Sequence, residues 1–182
     1  MRRSTLIASL VLVAVSAAGA QTPIPAPPRL PGARGDFLVT FLQIERKFIS
    51  LAEAMPVDKF NYTPGAGVRT FCEVLVHISA ENYDLGKAFG VPPAPKELAN
   101  AEATKCYADK VTVVAVMKKS FADIKTGVNN TKDTDLETPF TLFGSAQPKR
   151  AWLMATAEHA GEHLGQLIAY ARVNGIVPPW SK

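Results

Sequence analysis

The sequence predicts an all-α, four-helix bundle, and three observations carry that expectation. Apolar residues recur at spacings of three and four in four separate stretches, as a core-facing helical stripe requires. Segments rich in Pro, Gly, Asn and Asp divide those stretches, and no run alternates convincingly at period two.

The first helix is predicted from Asp36, an N-cap residue type, to Ala54, before Pro56. Phe37, Phe41, Ile44, Phe48 and Leu51 form its stripe. The second starts at a capping box, Thr70 with Glu73, and runs to about Phe89. The third is predicted from Thr104 to Lys125, burying Tyr107, Val114, Met117, Phe121 and Ile124. Residues 127–147 read as a loop in which Phe140, Leu142 and Phe143 are apolar anchors covering the bundle. The fourth starts at Pro148, which suits a first turn, and stops at Asn174-Gly175, with Gly175 as a left-handed cap and Pro178-Pro179 beyond it.

Upstream of the helices stands "MRRSTLIASLVLVAVSAAGAQ", with Arg2 and Arg3, an apolar run from Leu6 to Val15 and an A-x-A arrangement at Ala18–Ala20. This is the pattern of an export signal over residues 1–20, cleaved after Ala20, and it predicts a periplasmic or secreted protein. The run is shorter than the ~20 residues that span a bilayer, so no membrane span is expected. Residues 21–35, with five prolines by Pro31, read as an extended linker, and residues 36–182 as one domain.

Composition excludes one function class. Without Arg2 and Arg3, the 20 basic residues fall to 18 against 16 acidic ones, and the densest basic run is Lys118-Lys119. Neither feature supports a nucleic-acid partner. Cys72 and Cys106 lack a CxxC or CxxH neighbourhood, so they read as an exported disulfide or as buried thiols, not as a zinc set.

Of the three histidines, two lie in HAGEH on the fourth helix. His159 and His163 are ~40° apart on the helical wheel, on a stripe with Trp152, Ala155, Gln166, Tyr170 and Val173. Two imidazoles at i and i+4 can chelate one divalent ion. His77 lies mid-way along the second helix, ~100° from the centre of its apolar face, with Glu81 one turn on and Asp84 near the same line. If the second and fourth helices face each other, the three make a site with room for water, the arrangement of a catalytic metal.

HAGEH also spells the HxxEH of inverzincin peptidases. That chemistry needs a third, acidic ligand downstream, and no Asp or Glu follows His163. Glu162 also lies ~60° from His159 and ~100° from His163, off their shared stripe. The peptidase reading is set aside on both grounds.

The segment "VLVHISAENY" followed by "EHAGEHLGQLIAYARVNGIVPP", and upstream "MPVDKFNYTPGAGVRTFCEVLVHI", resembles the DinB/YfiT-like superfamily, over roughly residues 36–181. The resemblance implies an up-down-down-up bundle holding a divalent ion, zinc or nickel, through His77, His159 and His163. It also implies parallel second and third helices, which brings Cys72 and Cys106 to one end and favours their disulfide. Some members are transferases or isomerases that use low-molecular-weight thiols, so the resemblance implies a thiol transferase as one form of the activity; those thiols are cytosolic, and the export signal is the departure from that pattern.

Two functions follow as expectations. One is a metal-dependent hydrolase or transferase acting on an unknown small molecule, with Glu81 as base or supporting carboxylate and Gln166 and Tyr170 lining the pocket. The other is a non-catalytic bundle that binds a metal or small ligand. Exposed bundle faces make a homodimer a reasonable expectation in either case.

Overall fold

The computed structural model describes residues 31–98 and 106–181. The leader and most of the proline-rich linker lie outside the described residues. Four helices make up the body: α1 (Gly32–Ala54), α2 (Phe71–Gly86), α3 (Lys110–Asn130) and α4 (Lys149–Val173). A hairpin of β1 (Pro139–Leu142) and β2 (Ser145–Pro148) sits between α3 and α4. Among the described residues no helix is long and apolar enough to cross a membrane.

Contacts between helix ends fix the topology. Arg34 at the start of α1 donates to the carbonyls of Asn129 and Thr131 at the end of α3. Lys110 at the start of α3 donates to the carbonyls of Glu53 and Met55 at the end of α1, so α1 and α3 are antiparallel. Cys72 in the first turn of α2 is disulfide-bonded to Cys106, just before α3, with Cα atoms 5.5 Å apart. α2 and α3 therefore start at the same end and run parallel. Tyr170 near the end of α4 donates to the Arg69 carbonyl just before α2, which makes α4 antiparallel to α2. The order is up-down-down-up, with α1 flanked by α3 and α4, and α2 flanked by the same two helices.

Each helix end has a local cause. Thr70 accepts from the Glu73 amide while the Glu73 side chain accepts from the Thr70 amide, the capping box expected from sequence. Past Gly86 the second helix tightens into a single 3₁₀ turn, Lys87–Phe89, and stops at left-handed Gly90. Asp109 caps α3 by accepting from the Thr112 amide, and that bond holds its carboxyl below the usual range. Gly175 closes α4 at φ +77°, as expected.

Several boundaries differ from the expectations. α1 begins at Gly32, four residues before Asp36, on a Pro31 cap; the proline-rich pattern concealed the helical character of "GARG". α3 starts at Lys110 and not Thr104, and continues to Asn130, so Tyr107 precedes the helix. Thr104 itself lies outside the described residues. The hairpin was read as a loop because its strands are four residues each and turn through Phe143-Gly144, both at positive φ. Of its apolar anchors Leu142 is buried, but Phe143 is exposed and edge-on to Trp152.

The core runs the length of the bundle. Phe37 stacks on Phe41, and Phe41 and Phe48 both pack against Phe121 of α3, with centroids 4.9, 5.0 and 5.4 Å apart. Within this stripe the fully inward position belongs to Glu45 and not to Ile44; Glu45 is buried against Lys125 of α3. Between α2 and α3, Asn82 donates to Ser120, and Tyr83 donates to Asp123 at 2.8 Å. Burial, and then the bond to Asp123, push the Tyr83 phenol well above its ordinary pKa. Gly127 lets the start of the α2–α3 crossover lie against α3, since a Cβ there would meet the Phe89 carbonyl at 2.8 Å.

Candidate metal centre

α2 is buried on nearly every side; its only residues outside the core are Glu73, Glu81 and Asp84. A helix so enclosed is rigid at its middle, and His77 sits there, 7% exposed. α4 is different. Its innermost line is Leu153, Thr156, Ala160, Leu164, Leu167 and Ala171. His159 and His163 are each one residue before a member of that line, so they flank the inward face and do not form its centre. Val173, which shares the histidine stripe, is 73% exposed.

The flank of α4 meets the flank of α2, and the three histidines converge. Their candidate ligand atoms all lie within 4.8 Å of one another, and among the described residues the group comprises these three side chains. The rings stand edge to face in all three pairings, with centroids 5.2 Å (His77–His159), 4.7 Å (His77–His163) and 4.6 Å (His159–His163) apart. Nε2 of His77 is 3.2 Å from Nε2 of His159.

That separation can be compared with metal geometry. Two nitrogens bound at ~2.0–2.1 Å to a tetrahedral ion are about 3.3–3.4 Å apart. Three imidazoles converging within 4.8 Å, one pair of them at 3.2 Å, fit a divalent ion that takes neutral nitrogen donors. Without an ion, an Nε2–Nε2 contact requires one of the two to carry the proton and donate it.

His163 is also oriented from behind. Its Nδ1 donates to Gln166 Oε1 at 2.9 Å; Gln166 Nε2 donates to the Tyr170 hydroxyl at 2.8 Å; that hydroxyl donates to the Arg69 carbonyl at 3.1 Å. With Nδ1 holding the proton, the lone pair is on Nε2, the atom free to bind a metal. Gln166 lines the cleft next to His163. Tyr170 is buried, edge-on to Tyr62, and touches the cleft through Gln166. The i, i+3, i+7 spacing of His163, Gln166 and Tyr170 was visible in the sequence, but the terminal acceptor, a main-chain carbonyl, was not.

An open cleft of about 740 Å³ leads to His163, lined by Gly67, Val68, Arg69, Glu162, His163 and Gln166. The 67–69 segment and Glu162 were absent from the expected site. Glu162, the carboxylate of the apparent HxxEH motif, is exposed at this rim. Glu81 is half-buried on α2, one turn beyond His77 and outside the 4.8 Å group. Asp84 is turned to Lys87 in an ion pair. A separate groove of about 560 Å³ between the first halves of α1 and α4, lined by Phe37, Leu153 and Met154 among others, contains no histidine.

Known proteins share this architecture. A DinB-like protein from Bacillus cereus superposes with a TM-score of 0.68 at 19% identity, covering 79% of this chain and 93% of its own. YjoA, a DinB-like protein from Bacillus subtilis, gives 0.62 at 18% identity, covering 81% and 99%. YfiT from Bacillus subtilis, described as a probable metal-dependent hydrolase with an unusual four-helix bundle topology, gives 0.66 at 13% identity, covering 87% and 96%. At these identities the likeness is one of fold. No curated protein matches the chain. The family model described as the DinB superfamily matches residues 40–167, from the α1 stripe through His77 and both histidines of α4. With that match over more than two thirds of its length, the chain belongs to the DinB superfamily.

Proposed function

We propose that this protein is an exported, metal-dependent hydrolase of a small molecule, with a divalent ion held by His77, His159 and His163. The observation that carries the reading is the convergence of the three imidazoles of α2 and α4 within 4.8 Å. The description of YfiT as a probable metal-dependent hydrolase supports the same class, and the leader sequence supports export.

Three protein ligands would leave such an ion a coordination position for solvent or substrate. When bound, such an ion supplies Lewis-acid chemistry at that position. The chain's own residues supply the rest. His77 is fixed by the packing of α2, and His163 by its bond to Gln166. Glu81, next along α2, is the carboxylate proposed to take up a proton or to hold a neighbouring group in place. The residues at the cleft mouth admit substrate from solvent.

The test starts from protein made without a histidine tag or chelating column. Elemental analysis should find about one divalent ion per chain, falling to background in His159→Ala; unchanged metal content in that variant would overturn the ligand assignment. Cobalt-loaded protein titrated with azide should change its visible spectrum. A spectrum indifferent to azide means a closed site, and the hydrolase reading would then fail while metal binding stood.

A further inference from the structure

The polar chain behind His163 ends outside α4, and its far end is part of the cleft. Arg69, whose carbonyl receives the Tyr170 hydroxyl, is the last cleft-lining residue of the loop that enters α2. The base of that loop is pinned by main-chain bonds, Phe71 N–H to the Tyr62 carbonyl and Cys72 N–H to the Phe60 carbonyl, both 2.9 Å. Its tip is not. Residues 63–68 are all exposed, and Gly65 and Gly67 have nothing within 4 Å of where a Cβ would stand. Thr63, whose hydroxyl reaches the carbonyls of Gly65 and Val68, and the Val68 amide, which donates to Gly65, hold the tip to itself and not to the helices. A segment so built has a low local opening energy, and the bond from the Tyr170 hydroxyl to the Arg69 carbonyl is one tie between it and α4.

We propose that Gln166 and Tyr170 are positioning residues that lock His163 with Nε2 toward the ion and, through the Arg69 carbonyl, tie the 63–69 loop to the occupied site. Metal binding and the docking of one cleft wall onto α4 are then coupled equilibria. The physical reason is directional. Three hydrogen bonds run in series from the imidazole N–H to a carbonyl, and each is possible only with the amide and hydroxyl turned one way. An ion on Nε2 fixes the proton on Nδ1, which orients Gln166, which orients Tyr170, which holds Arg69. The inference rests on the three-histidine reading above and adds to it a route from the ion to the substrate entrance.

The experiment uses the full mature chain and two readouts: zinc affinity by competition with a chromophoric chelator, and hydrogen exchange of residues 63–69 with and without zinc. Wild-type protein should show slower exchange in this loop when zinc is bound. Tyr170→Phe keeps the ring against Tyr62 and removes only the hydroxyl; it should weaken zinc binding several-fold and reduce the zinc-dependent protection of the loop. Gln166→Met should weaken binding by about 10- to 100-fold, the usual loss when a ligand's hydrogen-bond partner is removed. Gln166→Glu, which still accepts from His163, should recover most of the affinity. A merely structural role would lower the thermal midpoint of the metal-free variants and leave zinc affinity untouched. If wild type binds zinc and Tyr170→Phe matches it in both readouts, the coupling is wrong and the metal site stands; if wild type binds no zinc, both fall.

Discussion

The seam between α1 and α3 and the seam between α2 and α4 belong to one bundle but are built from opposite materials. Along α1–α3, four phenylalanines interlock, and the one buried charge, Glu45, is matched by Lys125. Along α2–α4, the middle is three imidazoles within 4.8 Å and an open cleft. Like polar groups packed together contribute little to folding unless something binds them. The difference teaches that the fold does not depend on the histidine seam, because α2 and α4 are each already anchored on another helix. A bundle with one redundant seam can keep that seam polar.

The largest expected effect tests that division directly. Phe121→Ala removes the ring shared by Phe41 and Phe48 and should cost about 3–5 kcal/mol in urea unfolding. The folded fraction should bind zinc with wild-type affinity; a parallel loss of affinity would mean that the seams are not separable. Next in size is the disulfide. By the chain-entropy relation a closed loop of 34 residues is worth about 3–4 kcal/mol, so Cys72→Ala with Cys106→Ala should lower stability by that order in non-reducing buffer. Because Cys72 is one and a half turns before His77, the same variant asks whether α2 needs its covalent anchor to present the ligand; unchanged zinc affinity would show that capping and packing suffice.

The smallest effect lies on the third seam, between α2 and α3. Tyr83→Phe removes one hydrogen bond and should cost about 1 kcal/mol near neutral pH. The pH dependence has a definite sign. The folded phenol is raised above its unfolded value of about 10, so its contribution is complete below pH 10 and is lost as pH rises beyond it. Stability-versus-pH curves for Tyr83→Phe should therefore fall less steeply on the alkaline limb than those of wild type.

What the sequence disclosed follows from how local each feature is. The capping box of α2, the Gly175 stop and the phenylalanine stripe rest on residues three or four apart, and they were legible. The placement of the ligands was legible in part. The spacing put His159 and His163 on one face, but which face could not be read from α4 alone, because its inward line and its histidine line are neighbours of similar character. Glu45 was read past because a charge inside a stripe is intelligible only beside Lys125, 80 residues away. The start of α1 and the hairpin were missed where local signals pointed elsewhere: prolines and glycine beside one, strands too short for a period beside the other.

The up-down-down-up order has a consequence for how the chain acquires this shape. In a simple up-and-down bundle each new helix packs on its predecessor. Here α1 and α2 are not flanking partners, nor are α3 and α4; α1 packs chiefly on α4, which begins almost a hundred residues after α1 ends. Closure of long loops slows folding. A chain being synthesised from its N-terminus holds an incomplete core, and only one of its three histidine edges, until α4 has emerged. It therefore stays unfinished until that helix is made.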